Sequence, residues 1–190
     1  MRVITGKAKG RRLKAPKGMN TRPTSDRIKE ALFNIIGDSL IDRKILDLYA
    51  GTGAIGIEAL SRGSDSAVFV EKSPHVVKII RANLELTGLA EKAEIICQDV
   101  NYAVGVLASQ GRTFDIIFLD PPYLRSLLQK SIEALVQQDI ISPGGLLIAE
   151  SSNLDTLSEQ YGSLRAFRKE RYGDTILSFY QEIGQLNGRG

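Results

Sequence analysis

Between Lys44 and Tyr161 the sequence alternates, five times over, between a short apolar run and a segment with helical spacing. The runs are Lys44–Tyr49 (KILDLY), Ala67–Val70, Ala93–Gln98, Phe114–Leu119 (FDIIFL) and Leu146–Ala149. Strands that are apolar along their whole length must be covered on both faces, and the intervening helices supply the cover. The pattern predicts an α/β fold with a mostly parallel central sheet and right-handed crossovers. Ligands of such sheets bind beyond the carboxyl ends of the strands, so the residues that follow each run carry the functional information.

The helical segments have recognisable boundaries. Residues 26–36 place Ile28, Leu32, Ile35 and Ile36 on one face, with Thr24 or Ser25 to cap and Gly37 to stop. Ala54–Arg62 is closed by Gly63. Ser73 can cap the next helix and Pro74 suits its first position, with Val77, Ile80 and Leu84 buried and an end near Gly88. A further helix is expected around Tyr102–Ala108, and another carries Leu128, Ile132, Leu135 and Val136. A Pro143-Gly144-Gly145 turn should lead into Leu146–Ala149, followed by a short helix near Leu154–Tyr161. Leu164–Tyr172 and Thr175–Tyr180 flank Gly173-Asp174 and read as an antiparallel hairpin. A small basic β-hairpin is expected over Arg2–Lys14. The predicted organisation is a basic extension over 1–23, a main domain over 24–184 and a frayed tail over 185–190.

Charge is segregated along the chain. Residues 1–30 hold ten Lys or Arg against Asp26 and Glu30, a balance of +8, whereas the remainder is slightly acidic. A polyanion held by the arm beside a body with another task explains this better than a solubilising tail does. Arg2, Lys7, Lys9, Arg11, Arg12, Lys14 and Lys17 are the candidate phosphate contacts, with Arg22 and Arg27 nearer the first helix. Asn34 is a helix-surface or pocket-lining residue with no catalytic role expected. The apolar runs are too short for a transmembrane helix, and MRVITGKAKG is no secretory signal. Cys97 is the only cysteine, so no intrachain disulfide can form, and a cytoplasmic setting is expected. Cys97 reads as a buried strand residue and the single histidine, His75, as a helix-surface residue; no metal site is predicted.

The first run ends in Asp47-Leu48-Tyr49-Ala50-Gly51-Thr52-Gly53-Ala54-Ile55-Gly56. Glycines between a strand and a helix permit a tight turn and close backbone approach to a cofactor. Glu71, at the end of the second run, is about twenty residues on and can accept hydrogen bonds from ribose hydroxyls. The G-x-G-x-x-G spacing of Gly51, Gly53 and Gly56 also suits a dinucleotide enzyme, which stays a competitor at this point.

The fourth run ends in Asp120-Pro121-Pro122-Tyr123. Proline cannot continue a central strand, so the chain must leave the sheet here, stiffly. An exocyclic amine offers two hydrogens, which Asp120 and the Pro121 carbonyl can accept, and Tyr123 can stack on a planar ring. Aligning such an amine for attack on an electrophile needs positioning more than acid–base machinery. Whether Asp120 also takes the proton stays open, as do the choices among guanine, adenine and cytosine and between RNA and DNA.

DLYAGTGAIGIEAL resembles motif I of the class I S-adenosylmethionine-dependent methyltransferases, and DPPY resembles their motif IV for planar amines. The resemblance implies a Rossmann-like class I methyltransferase fold. It implies cofactor contacts at Asp47, Tyr49, Ala50, Gly51, Thr52, Gly53, Glu71, Lys72, Asp99 and Asp120, with Asp99 meeting the adenine amino group. The catalytic set it implies is Asp120, Pro121 and Tyr123. Over nearly the whole chain, RVITGKAKGRRLKAP, TRPTSDR, EALFN, DLYAGTGAIGIEALSRG, FVEKS and FDIIFLDPPY follow one another. In that order they resemble the bacterial 16S rRNA guanine-N2 methyltransferases that modify the small-subunit guanine conventionally numbered 966. Membership would imply a monomeric enzyme using S-adenosyl-L-methionine on 16S rRNA in an assembled or assembling 30S subunit. Other readings are an amine methyltransferase for another RNA or DNA base, a small-molecule methyltransferase, and a noncatalytic ribosome-assembly factor retaining the fold.

Overall fold

The computed structural model describes residues 1–16, 24–122 and 127–183. They fall into two compact units, Met1–Asp99 and Val100–Gly190. In the first, α1 (Thr24–Ile36) precedes β1 (Lys44–Leu48), α2 (Ala54–Ser61), β2 (Ser66–Val70), α3 (Pro74–Thr87) and β3 (Ala93–Ile96). The strands are parallel in the order β3-β2-β1, and Leu48, Val70 and Ile96 are in register at their carboxyl ends. The ladder runs one step further, with Ala50 N–H donating to the Val70 carbonyl and Glu71 N–H to that of Ile96. Loop residues after all three strands are therefore gathered along one edge.

Packing in this unit explains Gly56. A Cβ there would come within 2.3 Å of the Phe69 ring, so α2 can lie this close to β2 only with glycine. Ile45, Leu46, Leu48, Ile57, Phe69 and Val70 form the dry centre, and Val77, Ile80 and Leu84 cover it from α3 as their spacing predicts. Pro74 is the first residue of α3, but the Ser73 side chain makes no cap hydrogen bond. Its amide instead donates to Glu71 Oε1 at 2.8 Å. β3 ends at Ile96 rather than Gln98, which leaves Cys97 outside the strand and exposed, not buried.

The arm is folded over residues 1–16. It turns back on itself through a single antiparallel bridge, Arg2 with Arg12, instead of two full strands. Gly6 and Gly10, both at positive φ, and the bends between them take up the length that longer strands would need. Val3, Ala8 and Leu13 point inward. Gly6 faces α2 so closely that a Cβ would lie 1.8 Å from the Ser61 carbonyl oxygen. Lys7 N–H donates to that carbonyl and Ala8 N–H to Ser61 Oγ.

The second unit holds α4 (Val100–Ser109), β4 (Phe114–Leu119), α5 (Leu127–Gln137), β5 (Ile141–Ser152), β6 (Gln160–Tyr161), β7 (Leu164–Tyr172) and β8 (Thr175–Glu182). β4 and β5 are parallel; β8, β7 and β6 follow β5 in antiparallel order. The expected α/β class with a terminal hairpin is present. Pro143-Gly144-Gly145, however, lies inside a longer β5 as an irregularity, with a register shift between Phe114 and Ile116 and Gly144 at φ 74°. No helix forms over Leu154–Tyr161. Asp155 accepts the Ser152 amide, Asn153 donates its amide to Asp174, and the Tyr161 hydroxyl accepts the Ser158 amide. These local bonds take the backbone groups a helix would use. No described helix is long and apolar enough to cross a membrane. Residues 185–190, read as a tail, lie outside the described residues.

Candidate active site

In the first unit the site is built on the β1–α2 loop. Tyr49, Gly51 and Gly53 have φ of 61°, 53° and 76°, so every second residue is left-handed. Glycine takes this conformation freely, whereas Tyr49 does so against its preference, a kind of strain that clusters at functional loops. Gly53 N–H closes on the Ala50 carbonyl at 2.7 Å, giving a tight turn. Asp47 is buried on β1, and its Oδ2 accepts the Gly56 amide at 2.9 Å. That bond fastens α2 to β1 and sets the turn, so this oxygen serves the loop itself.

Glu71 is the hub on the neighbouring strand. Its Oε2 accepts the Gly51 amide at 3.2 Å and its Oε1 the Ser73 amide at 2.8 Å. The half-buried carboxylate thus joins the end of β2 to the glycine loop, and each oxygen keeps a lone pair for a further donor. Lys72 and Asp99 are exposed beyond β2 and β3, and Thr52 is half-buried in the loop, with Ala50 buried beside it.

Two buried polar clusters behind this loop were not singled out from sequence. Asn83 on α3 donates from Nδ2 to the Thr52 carbonyl at 2.9 Å and also engages the Lys14 backbone. Glu58 on α2 is fully buried; it accepts the amides of Ile4 and Thr5 and pairs with Lys29 at 3.1 Å and Arg62 at 2.9 Å. Lys29, itself buried, donates to the Arg2 carbonyl. The signals were a polar residue at a core position of α3 and a lone acid within the apolar AIGIEALS.

In the second unit Asp120 and Pro121 follow β4. Leu119 is in register with Ala149, so Asp120 and Glu150 are the next positions along two parallel strands. Asp120 is open to solvent on one side and crowded by protein on the other. Desolvation by the surrounding protein raises its carboxyl to about 6. Half-buried Glu150 is raised further, to about 8, first by burial and then by the charge of Asp120. Glu150 was not anticipated, because LLIAES reads as an ordinary strand end until its neighbour is known. Pro121 is buried and Pro122 exposed.

Arg2, Lys7, Lys9, Arg11, Arg12 and Lys14 are all exposed on the arm, and Arg27 and Asn34 are exposed on α1. Lys17, Arg22 and Tyr123 lie outside the described residues. His75 is exposed at the start of α3. Among the described residues no group of His, Cys, Asp or Glu is arranged to hold a metal ion.

Several curated proteins are similar along nearly the whole chain. "Putative rRNA methyltransferase YlbH" of Bacillus subtilis (strain 168) is 38% identical over 97% of this chain and 100% of its own length. "Ribosomal RNA small subunit methyltransferase D" of Escherichia coli (strain K12) is 32% identical over 97% of this chain and 91% of its own. Among solved structures, "Putative methyltransferase yhhF from Escherichia coli" superposes with a TM-score of 0.83 at 33% identity, covering 96% of this chain and 97% of that one. Residues 1–181, from the basic arm through β8, match a single family along their length, and the chain belongs to the family described as Conserved hypothetical protein 95.

Proposed function

We propose that this protein methylates 16S rRNA, using S-adenosylmethionine, on the exocyclic N2 amine of the guanine conventionally numbered 966. It acts on the assembled or assembling small subunit, as a monomer, in the cytoplasm. The observation that carries the reading is Asp120 at the end of β4, held by Pro121-Pro122 with its carboxyl raised to about 6. An ionised carboxylate so placed orients an amine by accepting one of its hydrogens, and the Pro121 carbonyl can accept the other. Below about 8, Glu150 keeps its proton and leaves Asp120 as the charged member of the pair. The names of the Bacillus subtilis and Escherichia coli relatives support rRNA as the polymer.

The β1–α2 loop fits the cofactor. Left-handed Gly51 and Gly53 bring backbone rather than side chains to its surface, and no lysine stands in the loop for a pyrophosphate. Glu71 would hold the ribose and Asp99 the adenine amino group, with Asp47 fixing the turn. When bound, S-adenosylmethionine supplies an electrophilic sulfonium methyl. The chain's own residues orient the acceptor and exclude competing poses; Tyr123 supplies the stacking ring, and the exposed cations of the arm hold the RNA backbone.

The test offers labelled S-adenosylmethionine with naked 16S rRNA and with small subunits lacking the modification, followed by nucleoside mapping. Label in N2-methylguanosine at that single position is expected. Label in another nucleoside, in DNA or in a small molecule redirects the reading, and cofactor binding without transfer to any nucleic acid sinks it.

A further inference from the structure

Strand register in the second unit sets side chains in rows. Phe118, Ile148 and Phe179 pair in turn across β4, β5 and β8, and all three are buried. The next row on that face begins one step past the Leu119–Ala149 pair, where Asp120 stands level with Glu150. Glu150 is paired on its other side with Leu177 of β8, and Leu177 with Glu170 of β7. Leu177 is fully buried, and Glu170 is taken by Arg168 at 2.9 Å. From α5, which packs on β5, Leu128, Ile132 and Leu135 are buried, whereas its charged Lys130 and Glu133 are exposed. α4 carries no charged side chain. Among the described residues no lysine, arginine or histidine is paired with Asp120 or Glu150.

Glu150 thus has Asp120 as its lateral polar neighbour, one strand spacing of about 4.8 Å away. Two carboxylates this close with no cation between them do not both ionise readily. One proton held by the pair removes the repulsion and makes a hydrogen bond. Burial weighs more on Glu150, whose carboxyl is raised to about 8 against about 6 for Asp120, so Glu150 keeps that proton. We propose that Glu150 is a positioning residue for the methyl transfer: its protonated carboxyl donates to one Asp120 oxygen and so turns the other toward the amine of the acceptor base. An aspartate just past a strand end swings about its side-chain torsions, and a donor from the next strand fixes them. Positioning is what the reaction asks of Asp120. The inference rests on the methyl transfer proposed above, and it holds whichever base carries the amine.

The experiment compares Glu150→Ala and Glu150→Gln with the unsubstituted chain in single-turnover transfer to small subunits lacking the modification, across the pH range in which both carboxyls titrate. Alanine should slow transfer about tenfold or more and leave affinity for particle and cofactor unchanged. Glutamine keeps a donor and should recover most of that loss. The unsubstituted rate should fall as pH passes about 8 and Glu150 loses its proton, whereas the glutamine rate should not. An alanine rate equal to the unsubstituted one, a glutamine rate no better than alanine, or a fall near 8 that persists with glutamine each overturns the role. A second measurement needs no methyl transfer. In carbon-13 NMR of the side-chain carboxyls of the full chain, the Glu150 signal should move in the step near 6 as well as in the step near 8, and should lose the first in Asp120→Asn. Independent single-step curves overturn the pairing. Coupled curves in a chain that transfers no methyl overturn the proposed reaction, and with it the role of Glu150, but not the hydrogen bond between the two carboxyls.

Discussion

Asn83 and Lys14 are hydrogen-bonded to each other in both directions: Asn83 Oδ1 accepts the Lys14 amide at 2.7 Å and Nδ2 donates to the Lys14 carbonyl at 3.0 Å. The same Nδ2 donates to the Thr52 carbonyl in the glycine loop at 2.9 Å. One buried side chain on α3 therefore stands in for a strand partner to the arm and steadies the loop at once. The basic arm and the β1–α2 loop are tied to the same residue.

Asn83→Ala should lower stability by about 2 kcal/mol, since three backbone groups lose their partner. Because Thr52 is one of them, S-adenosylmethionine affinity should fall as well. Urea unfolding and calorimetry check this pair of effects. A stability loss with unchanged cofactor affinity would mean that the loop is steadied by its own turn.

Glu58→Gln probes how the arm is held. The substitution removes the charge that pairs buried Lys29 and keeps the shape, so about 3 kcal/mol of stability should be lost. The Ile4 and Thr5 amides, which donate to this carboxylate, should exchange with deuterium much faster. Protection at Ile4 and Thr5 equal to that of the unsubstituted chain would show that the Ser61 contacts alone keep the arm in place.

Glu71→Ala removes the acceptor of the Gly51 and Ser73 amides together with the proposed ribose contact. Cofactor affinity should drop about tenfold or more, by loss of charge-assisted hydrogen bonds. Glu71→Gln, which keeps one carbonyl acceptor, should recover part of it. Unchanged calorimetric affinity in a folded alanine variant contradicts the assignment.

Much of this arrangement is legible in the chain, and the missed parts share a cause. β4 is present with the limits its apolar run predicts, and α3 buries the residues its spacing selects, because local pattern and burial agree there. The helix expected over Leu154–Tyr161 fails because Asp155 and Ser158 bond to nearby backbone. Periodicity does not register such competition. Glu71, Asp99 and Asp120 stand out in sequence because they follow apolar runs. Glu58, Asn83 and Glu150 acquire meaning only from residues 54, 69 and 30 positions away, which folding brings to them.

The paired carboxyls should give a two-step pH response. Asp120 must be ionised to accept an amine hydrogen, so single-turnover methyl transfer should rise through about pH 6. Ionisation of Glu150 near 8 then adds a second negative charge, giving another change in rate. Glu150→Gln should remove the upper step and leave the lower one, which burial causes. Asp120→Asn should abolish most transfer and move the Glu150 titration down, since one of its two causes is gone. For stability the sign is opposite to that of a salt-bridged acid. Both groups hold protons more tightly when folded, so their contribution is greatest below pH 4 and is lost as pH rises through 6 and 8. Thermal unfolding from acid to alkaline pH, compared with Glu150→Gln, reads this directly; identical profiles refute the shared titration.

The arm offers the last test, because its side chains and its backbone do different work. Its backbone is spent on Glu58, Ser61 and Asn83, while the side chains of Lys7, Lys9, Arg11, Arg12 and Lys14 remain exposed. Replacing all five by glutamine should therefore leave the arm docked and cofactor affinity nearly unchanged. RNA affinity should fall, and its dependence on salt should flatten by about 0.7 to 0.9 in log–log slope for every phosphate contact removed. Binding to small-subunit particles, measured for both proteins across several salt concentrations, gives the two quantities. Equal slopes would assign the phosphate contacts elsewhere. A lower slope with the Ile4 and Thr5 amides still protected would show that the folded arm is a platform whose cations, and not its mere presence, recruit the RNA.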